Sequence, residues 1–321
     1  MNENHVVAVS SPPVGAGRDT AAGPADSAPV SPASGYVLML VVIAIWGCSW
    51  PIAKLGFTWI PPLWFGFGRA AVCAVTLLLL LGIRGQLRLP SRQDMPIVLS
   101  IGIVQVGVFM ALMHFSLALV EAGRAAILAY TSSLWVVPAA ILLLGERLSL
   151  LRGLGLAAGL GGVAVLFNPL EFDWGDGSVI LGNGLLLVCA MCWGIGILHV
   201  KVHRWRLSPL QVAPWQMIIG SLPSLVAAAV TEDPATIVWD WRGLLIVAGM
   251  GSIGTALPFW ALLTLNRALP AISTSLGLLA VPAIGLFSSM AILGEALTPT
   301  LAAGFCLILI GVGLVATADR R

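Results

Sequence analysis

Arg69, in the run Phe-Gly-Arg-Ala-Ala, sets a guanidinium about a third of the way into a long apolar stretch. A charge at that depth of a membrane costs roughly 2.5–3.5 kcal/mol on insertion scales, so its retention marks a ligand or a buried partner. The planar fork suits a carboxylate or phosphate through two parallel hydrogen bonds. The alternative is pairing with backbone carbonyls, or reaching outward to an interface. Gln216 stands at the equivalent place of a later stretch and reads as a neutral, weaker version of the same polar role. Trp46, Trp50 and Lys54 follow an i, i+4, i+8 row and share one helix face unless Pro51 bends it. Trp193 opens the matching row further on. Trp46 and Trp193 fall near the middle of their stretches, where a cavity wall or gate explains them better than an interfacial belt. Tyr130, Phe259 and Trp260 either extend that aromatic lining or simply pack. Rings for an apolar body and a cation for a carboxylate suit amino acids or amphipathic organic anions.

Other ionisable groups are few. His114 titrates near neutral pH, so it is either the candidate for proton coupling or a packed histidine. No Asp or Glu lies at the centre of an apolar stretch, which leaves carboxylate-based coupling without a candidate. Glu146 and Glu295 each follow a Leu-Gly pair where one stretch ends and the next begins. A carboxylate at a helix N-terminus is stabilised by the macrodipole, so both read as caps, with gating as the second reading. The chain's two lysines close the same phrase, Trp46-Gly47 to Lys54 and Trp193-Gly194 to Lys201, and stand 147 positions apart.

These residues need elements to hold them, and composition says which. Of 321 residues, 59% are hydrophobic and 9% charged, with mean hydropathy +1.00. Soluble domains carry about 25% charged residues, so this chain cannot cover a water-facing surface. Ten apolar stretches of helix-spanning length run at about 36–56, 62–82, 96–119, 124–144, 151–168, 179–200, 209–230, 243–264, 271–292 and 298–317. Alternating strands are absent, against an outer-membrane barrel. Residues 1–34, rich in Ser, Pro, Ala and Gly, read as a disordered cytoplasmic tail. The five cysteines fall inside apolar stretches and read as small packing residues, with no disulfide or zinc framework.

Basic residues orient the chain. With the N-terminus in the cytoplasm, the inside connections and the C-terminal tail hold eleven Lys and Arg, against three (Lys54, Arg124, Arg242) in the outside connections. Both termini are then cytoplasmic. Five spans in each half force the second half upside down, giving two inverted repeats, 35–169 and 178–318. Pro62-Leu63 matches Pro209-Leu210 at the lysine offset, and Leu144-Gly145-Glu146 matches Leu293-Gly294-Glu295 at an offset of 149. Inverted repeats exchange two mirror-related states around a midplane site, as alternating access requires. Lys201 obeys the charge bias and snorkels, whereas Lys54 contradicts it and could form an outer cationic patch. Gly155-x-x-x-Gly159, and Gly311 with Gly313, read as helix-packing seams.

The phrases "IWGCSWPIAK", "FGRAA", "AGRAAILAYTSSLWVVPAAILLLGERLS", "CWGIGILHVK" and "AISTSLGLLAVPAIGLFSSMAILGEALT" resemble the drug/metabolite transporter superfamily, in its EamA-like branch of ten-helix carriers. The resemblance covers about 36–317. It implies a secondary carrier in the inner (plasma) membrane, most often an exporter of amino acids or related metabolites. It further implies a cavity lined by helices 1, 3, 4, 6, 8 and 9. One departure stands out: Tyr130-Thr131 is followed by Ser132-Ser133 where the family often has proline, while Pro282 keeps the equivalent place. A less kinked fourth helix is the expectation. Uptake or exchange of another organic anion or drug-like metabolite is the alternative function. An enzyme would need a nucleophile with its base, or a metal cluster, and neither H-E-x-x-H nor G-x-S-x-G occurs. A channel would show polar rings or a glycine filter. The expected partners are a small-molecule metabolite and the lipid bilayer, with no nucleic acid and no cofactor. Oligomeric state is left open between a monomer and a dimer through glycine-rich spans.

Overall fold

A computed structural model describes residues 32–120, 122–167, 175–293 and 299–318. Among them every regular element is a helix. Ten stretches follow in order: α1 Pro32–Gly56, α2 Pro62–Ile83, α3 Met95–Leu119, α4 Ala125–Leu144, α5 Leu150–Phe167, α6 Gly177–Val202, α7 Pro209–Thr231, α8 Trp241–Ala268, α9 Ala271–Ile292 and α10 Pro299–Ala318. Eight are long and apolar enough to cross a bilayer, while α5 and α10 carry shorter apolar runs, Leu150–Val165 and Ala302–Val315. The chain is an integral membrane protein. The expected tail lies, up to residue 31, outside the described residues.

Packing follows a pattern that repeats when the halves are exchanged. α1 packs on α8 and α9, and α6 packs on α3 and α4; α2 pairs with α7, and α5 with α10. The α5–α10 pair is the predicted glycine seam. The Gly311 carbonyl lies 2.8 Å from where a Cβ on Gly155 would stand, and Gly155 O lies 2.7 Å from a Cβ on Gly311. Such backbone approach excludes any side chain at either place.

Helix starts are capped by side chains. Asp176 accepts from Ser178 N at the head of α6, and these Ser178 bonds hold its carboxyl below the usual range. Ser208 and Gln211 form a capping box on α7. Two other caps cross between halves. Glu146 accepts from Ala271 N and Ile272 N at 2.9 and 3.2 Å, and Glu232 accepts from Leu63 N and Trp64 N at 2.9 and 3.0 Å. Glu146 therefore caps α9 rather than the helix that follows it. The reason is Gly145, whose φ of 66° is left-handed and turns the chain at the end of α4. Beside this contact the Lys201 ammonium donates to Leu269 O.

α4 is not straighter for want of proline. Its helix stops at Ala129 and restarts at Ser133. Thr131 Oγ1 donates to Leu128 O at 2.7 Å, and Leu134 N and Trp135 N reach back three residues rather than four. Hydroxyl side chains compete for backbone carbonyls and loosen a helix much as proline does. The equivalent break in α9 falls at Leu278–Leu279, before Pro282. Ser133 Oγ donates to Ser275 O at 3.2 Å, tying the two broken helices together. All five cysteines are free thiols, including Cys189 and Cys192 at C-x-x-C spacing.

Candidate functional site

A single face of α1 begins the site. Trp46, Ser49, Trp50 and Ala53 follow i, i+3, i+4, i+7 and line a cavity. α3 supplies a matching stripe from Gln105 to Leu117, with Phe109, Met110 and Met113 between. Arg69 enters from α2, Tyr130 from the break in α4, Trp193 from α6, Met217 from α7, and Thr255 and Phe259 from α8. Among the described lining residues none belongs to α9, which the resemblance had implied, while α2 and α7 contribute.

Aromatic rings share the wall with methionine and aliphatic side chains. Trp46 and Trp193 meet edge to face with centroids 5.2 Å apart, and Phe109 lies 4.8 Å from Trp193. Trp50 and Tyr130 make a second edge contact at 6.3 Å. Pairs of this kind contribute about 0.5–1.5 kcal/mol beyond their buried area. The two mid-span tryptophans of the repeated phrase thus touch each other across the halves.

Arg69 is only 6% exposed and does not snorkel. Its Nε donates to Thr255 Oγ1 at 2.6 Å, and one terminal nitrogen points to Gly254 O at 3.5 Å. Thr255 is itself fixed, donating its hydroxyl to Met250 O at 2.7 Å. This places Thr255 in a π-helical stretch of α8, Ser252–Ala256, where wide turns displace the backbone. α3 carries a second π-helical stretch, Ser100–Val108, at the corresponding position of the first half, and it presents Gln105. No carboxylate among the described residues pairs with Arg69. The guanidinium is therefore held in place by neutral groups, with no described carboxylate to compensate its charge.

The structure brings together Trp46, Trp50, Arg69, Tyr130, Trp193 and Phe259 from the residues singled out by sequence. His114, Gln216 and Trp260 stay out of the lining. His114 is fully buried, bonded through Nδ1 to Met110 O at 2.7 Å, and packed beside Phe57 and Phe65. Gln216 is fully buried and donates to Ile97 O at 3.2 Å, bracing α7 against α3. Lys54 is exposed: the cavity face of α1 runs through Ala53, so the i+8 position falls off its edge. Glu146 and Lys201 meet the α9 N-terminus, away from the lining. Glu295 lies outside the described residues. Sequence reasoning missed Gln105, Thr255, Phe109 and the Glu232 cap.

The sequence profile described as the EamA-like transporter family matches residues 33–168 and again 180–317, two copies in one chain. The uncharacterized transporter YoaV of Bacillus subtilis is 24% identical over 274 residues, covering 85% of this chain and 94% of that one. A probable amino-acid metabolite efflux pump of Escherichia coli is 26% identical over 286 residues, covering 86% and 92%. A probable terminal-alkyne amino-acid exporter of Streptantibioticus cattleyicolor is 26% identical, covering 89% and 95%. One solved protein crystal structure superposes with a TM-score of 0.72 at 20% identity, over 91% of this chain and 100% of the other, a likeness of fold.

Proposed function

The chain belongs to the EamA-like transporter family, and from that premise we propose that it is a secondary transporter exporting a small carboxylate-bearing metabolite. Amino acids or related compounds are the favoured cargo, the inner membrane the place, and alternating access the mechanism. The observation that carries this reading is Arg69: a buried guanidinium, held by Thr255 and facing an aromatic cavity, with no carboxylate partner among the described residues. In low-dielectric surroundings an anionic cargo group supplies the missing charge through a bidentate contact. The ring walls take the cargo's apolar body. The names of the two amino-acid exporters above point the same way.

The paired breaks, paired π-helical stretches and exchanged helix packing favour two inverted repeats, 35–169 and 178–318. With both termini in the cytoplasm, the Glu146 and Lys201 contacts close the cytoplasmic end against α9, and the Glu232 cap ties α2 to the outer end. Opening one end then means releasing backbone N–H groups from a carboxylate, a bistable contact of modest strength. Lys54 is assigned to the outer mouth as an attractor of anions. His114 and Gln216 support the walls.

Export is tested in inside-out vesicles supplied with a panel of amino acids, N-acyl amino acids and nucleotide-derived metabolites, with and without a pH gradient. At least one carboxylate should accumulate, and Arg69→Ala should lower its transport about tenfold or more, the loss of a charge-assisted hydrogen bond. Carboxylate transport that ignores Arg69→Ala would remove the anchor.

A further inference from the structure

Gln105 is a second polar station in the cavity. It is fully buried, it is among the lining residues, and neither its carboxamide oxygen nor its nitrogen has a partner among the described residues. Trp193 Nε1, also in the lining, is in the same condition. Buried polar atoms are almost always hydrogen-bonded, because each one left unmet forfeits its desolvation energy. Unmet buried atoms occur elsewhere among the described residues, at Asn266 and Ser132 for example, but these three share one cavity wall. Packing brings them together: any Cβ on Gly196 would run into the Gln105 carboxamide, so that side chain lies across the α6 backbone at Gly196. Trp193 is three residues earlier on the same helix, the next turn of the same face. The lining hydroxyls of Ser49 and Thr255 are already committed, to Ile45 O and Met250 O.

We propose that Gln105 and the Trp193 indole N–H form a specificity subsite for a neutral, amide-bearing group on the cargo, so that the preferred cargo is an N-acyl amino acid or similar amide-bearing acid. It rests on the reading that Arg69 takes the cargo carboxylate, and it narrows the favoured cargo from amino acids and related compounds to their N-acylated members. A carboxamide offers N–H donors and a carbonyl acceptor, and the indole adds one donor. That set complements an amide, which brings one carbonyl and one N–H. A free α-ammonium fits worse. It stays within bonding distance of its own carboxylate, so it would sit beside the Arg69 guanidinium in a lining whose described residues include no Asp or Glu. A site built to bond a polar group also rejects analogues that lack it, because its own groups are then left unmet.

The test compares three acids sharing one ring: N-acetylphenylalanine, 3-phenylpropanoate and phenylalanine. Flux into proteoliposomes of the full chain is measured for the wild type, Gln105→Leu and Gly196→Ala. Wild type should favour N-acetylphenylalanine over 3-phenylpropanoate by about tenfold in kcat/KM, with phenylalanine below both. Gln105→Leu should bring the first ratio close to one. Gly196→Ala displaces the carboxamide without removing it and should shrink the ratio in the same direction, which keeps the test decisive if the leucine variant does not insert. A ratio unchanged in the inserted variants, or a wild-type preference for phenylalanine, overturns the subsite. Arg69→Ala, run in parallel, should depress both acylated and unsubstituted acids alike. If it depresses neither while Gln105→Leu still collapses the ratio, the carboxylate anchor falls and the subsite stands.

Discussion

At the residue scale, recognition of a carboxylate turns on how Arg69 is held. Its Nε bond to Thr255 Oγ1 aims the fork, and Thr255 is fixed by its own bond to Met250 O. Thr255→Val keeps the shape and removes the acceptor. The expected outcome is a rise in KM for carboxylate cargo of about fivefold, from one lost hydrogen bond to a charged group, read by flux at varied substrate concentration. Glu146→Ala removes the partner of two backbone N–H groups at the start of α9. It should cost about 1 kcal/mol, visible as a lower Tm of the detergent-purified protein. Arg69 and the tryptophans were legible in the sequence because a charge, or a mid-span indole, stands out against an apolar run. Gln105 and Thr255 were not. Neutral polar residues occur throughout these helices, Ser116 and Thr274 for example, and only folding shows which of them face the cavity.

At the scale of elements, the legible features were those written in small residues and repeated phrases. The Gly155 and Gly311 seam was foreseen, and it is the tightest kind of contact, backbone against backbone. Gly155→Val should separate α5 from α10, costing about 1–3 kcal/mol, and thermal unfolding in detergent should shift downward accordingly. The α4 break was hidden because hydroxyl competition has no single-residue signature comparable to proline. Thr131 and its neighbouring serines open the helix through bonds to the preceding turn. The Gly145 turn explains the other surprise: it directs Glu146 across to α9 and not forward to α5. The two π-helical stretches were equally silent in the sequence. They carry the polar stations of both halves, Gln105 in α3 and Thr255 in α8, so backbone irregularity and chemistry coincide.

At the scale of the molecule, duplication explains why one cavity receives aromatic residues from both halves. Trp46 and Trp193 occupy the same place in the repeated phrase and meet at 5.2 Å. The all-helical membrane character was readable from composition and from the span pattern, and among the described residues eight stretches have full spanning length with two shorter apolar helices. A two-fold arrangement with a cap at each end suits a carrier that opens to one side at a time. Counterflow in sealed proteoliposomes tests that claim most directly. Vesicles preloaded with unlabelled N-acetylphenylalanine are diluted into a trace of the labelled compound. A carrier with Arg69 as its anchor predicts a transient overshoot of label above its equilibrium level, lost in Arg69→Ala. Non-saturable flux without overshoot, or an overshoot that survives Arg69→Ala unchanged, would contradict it.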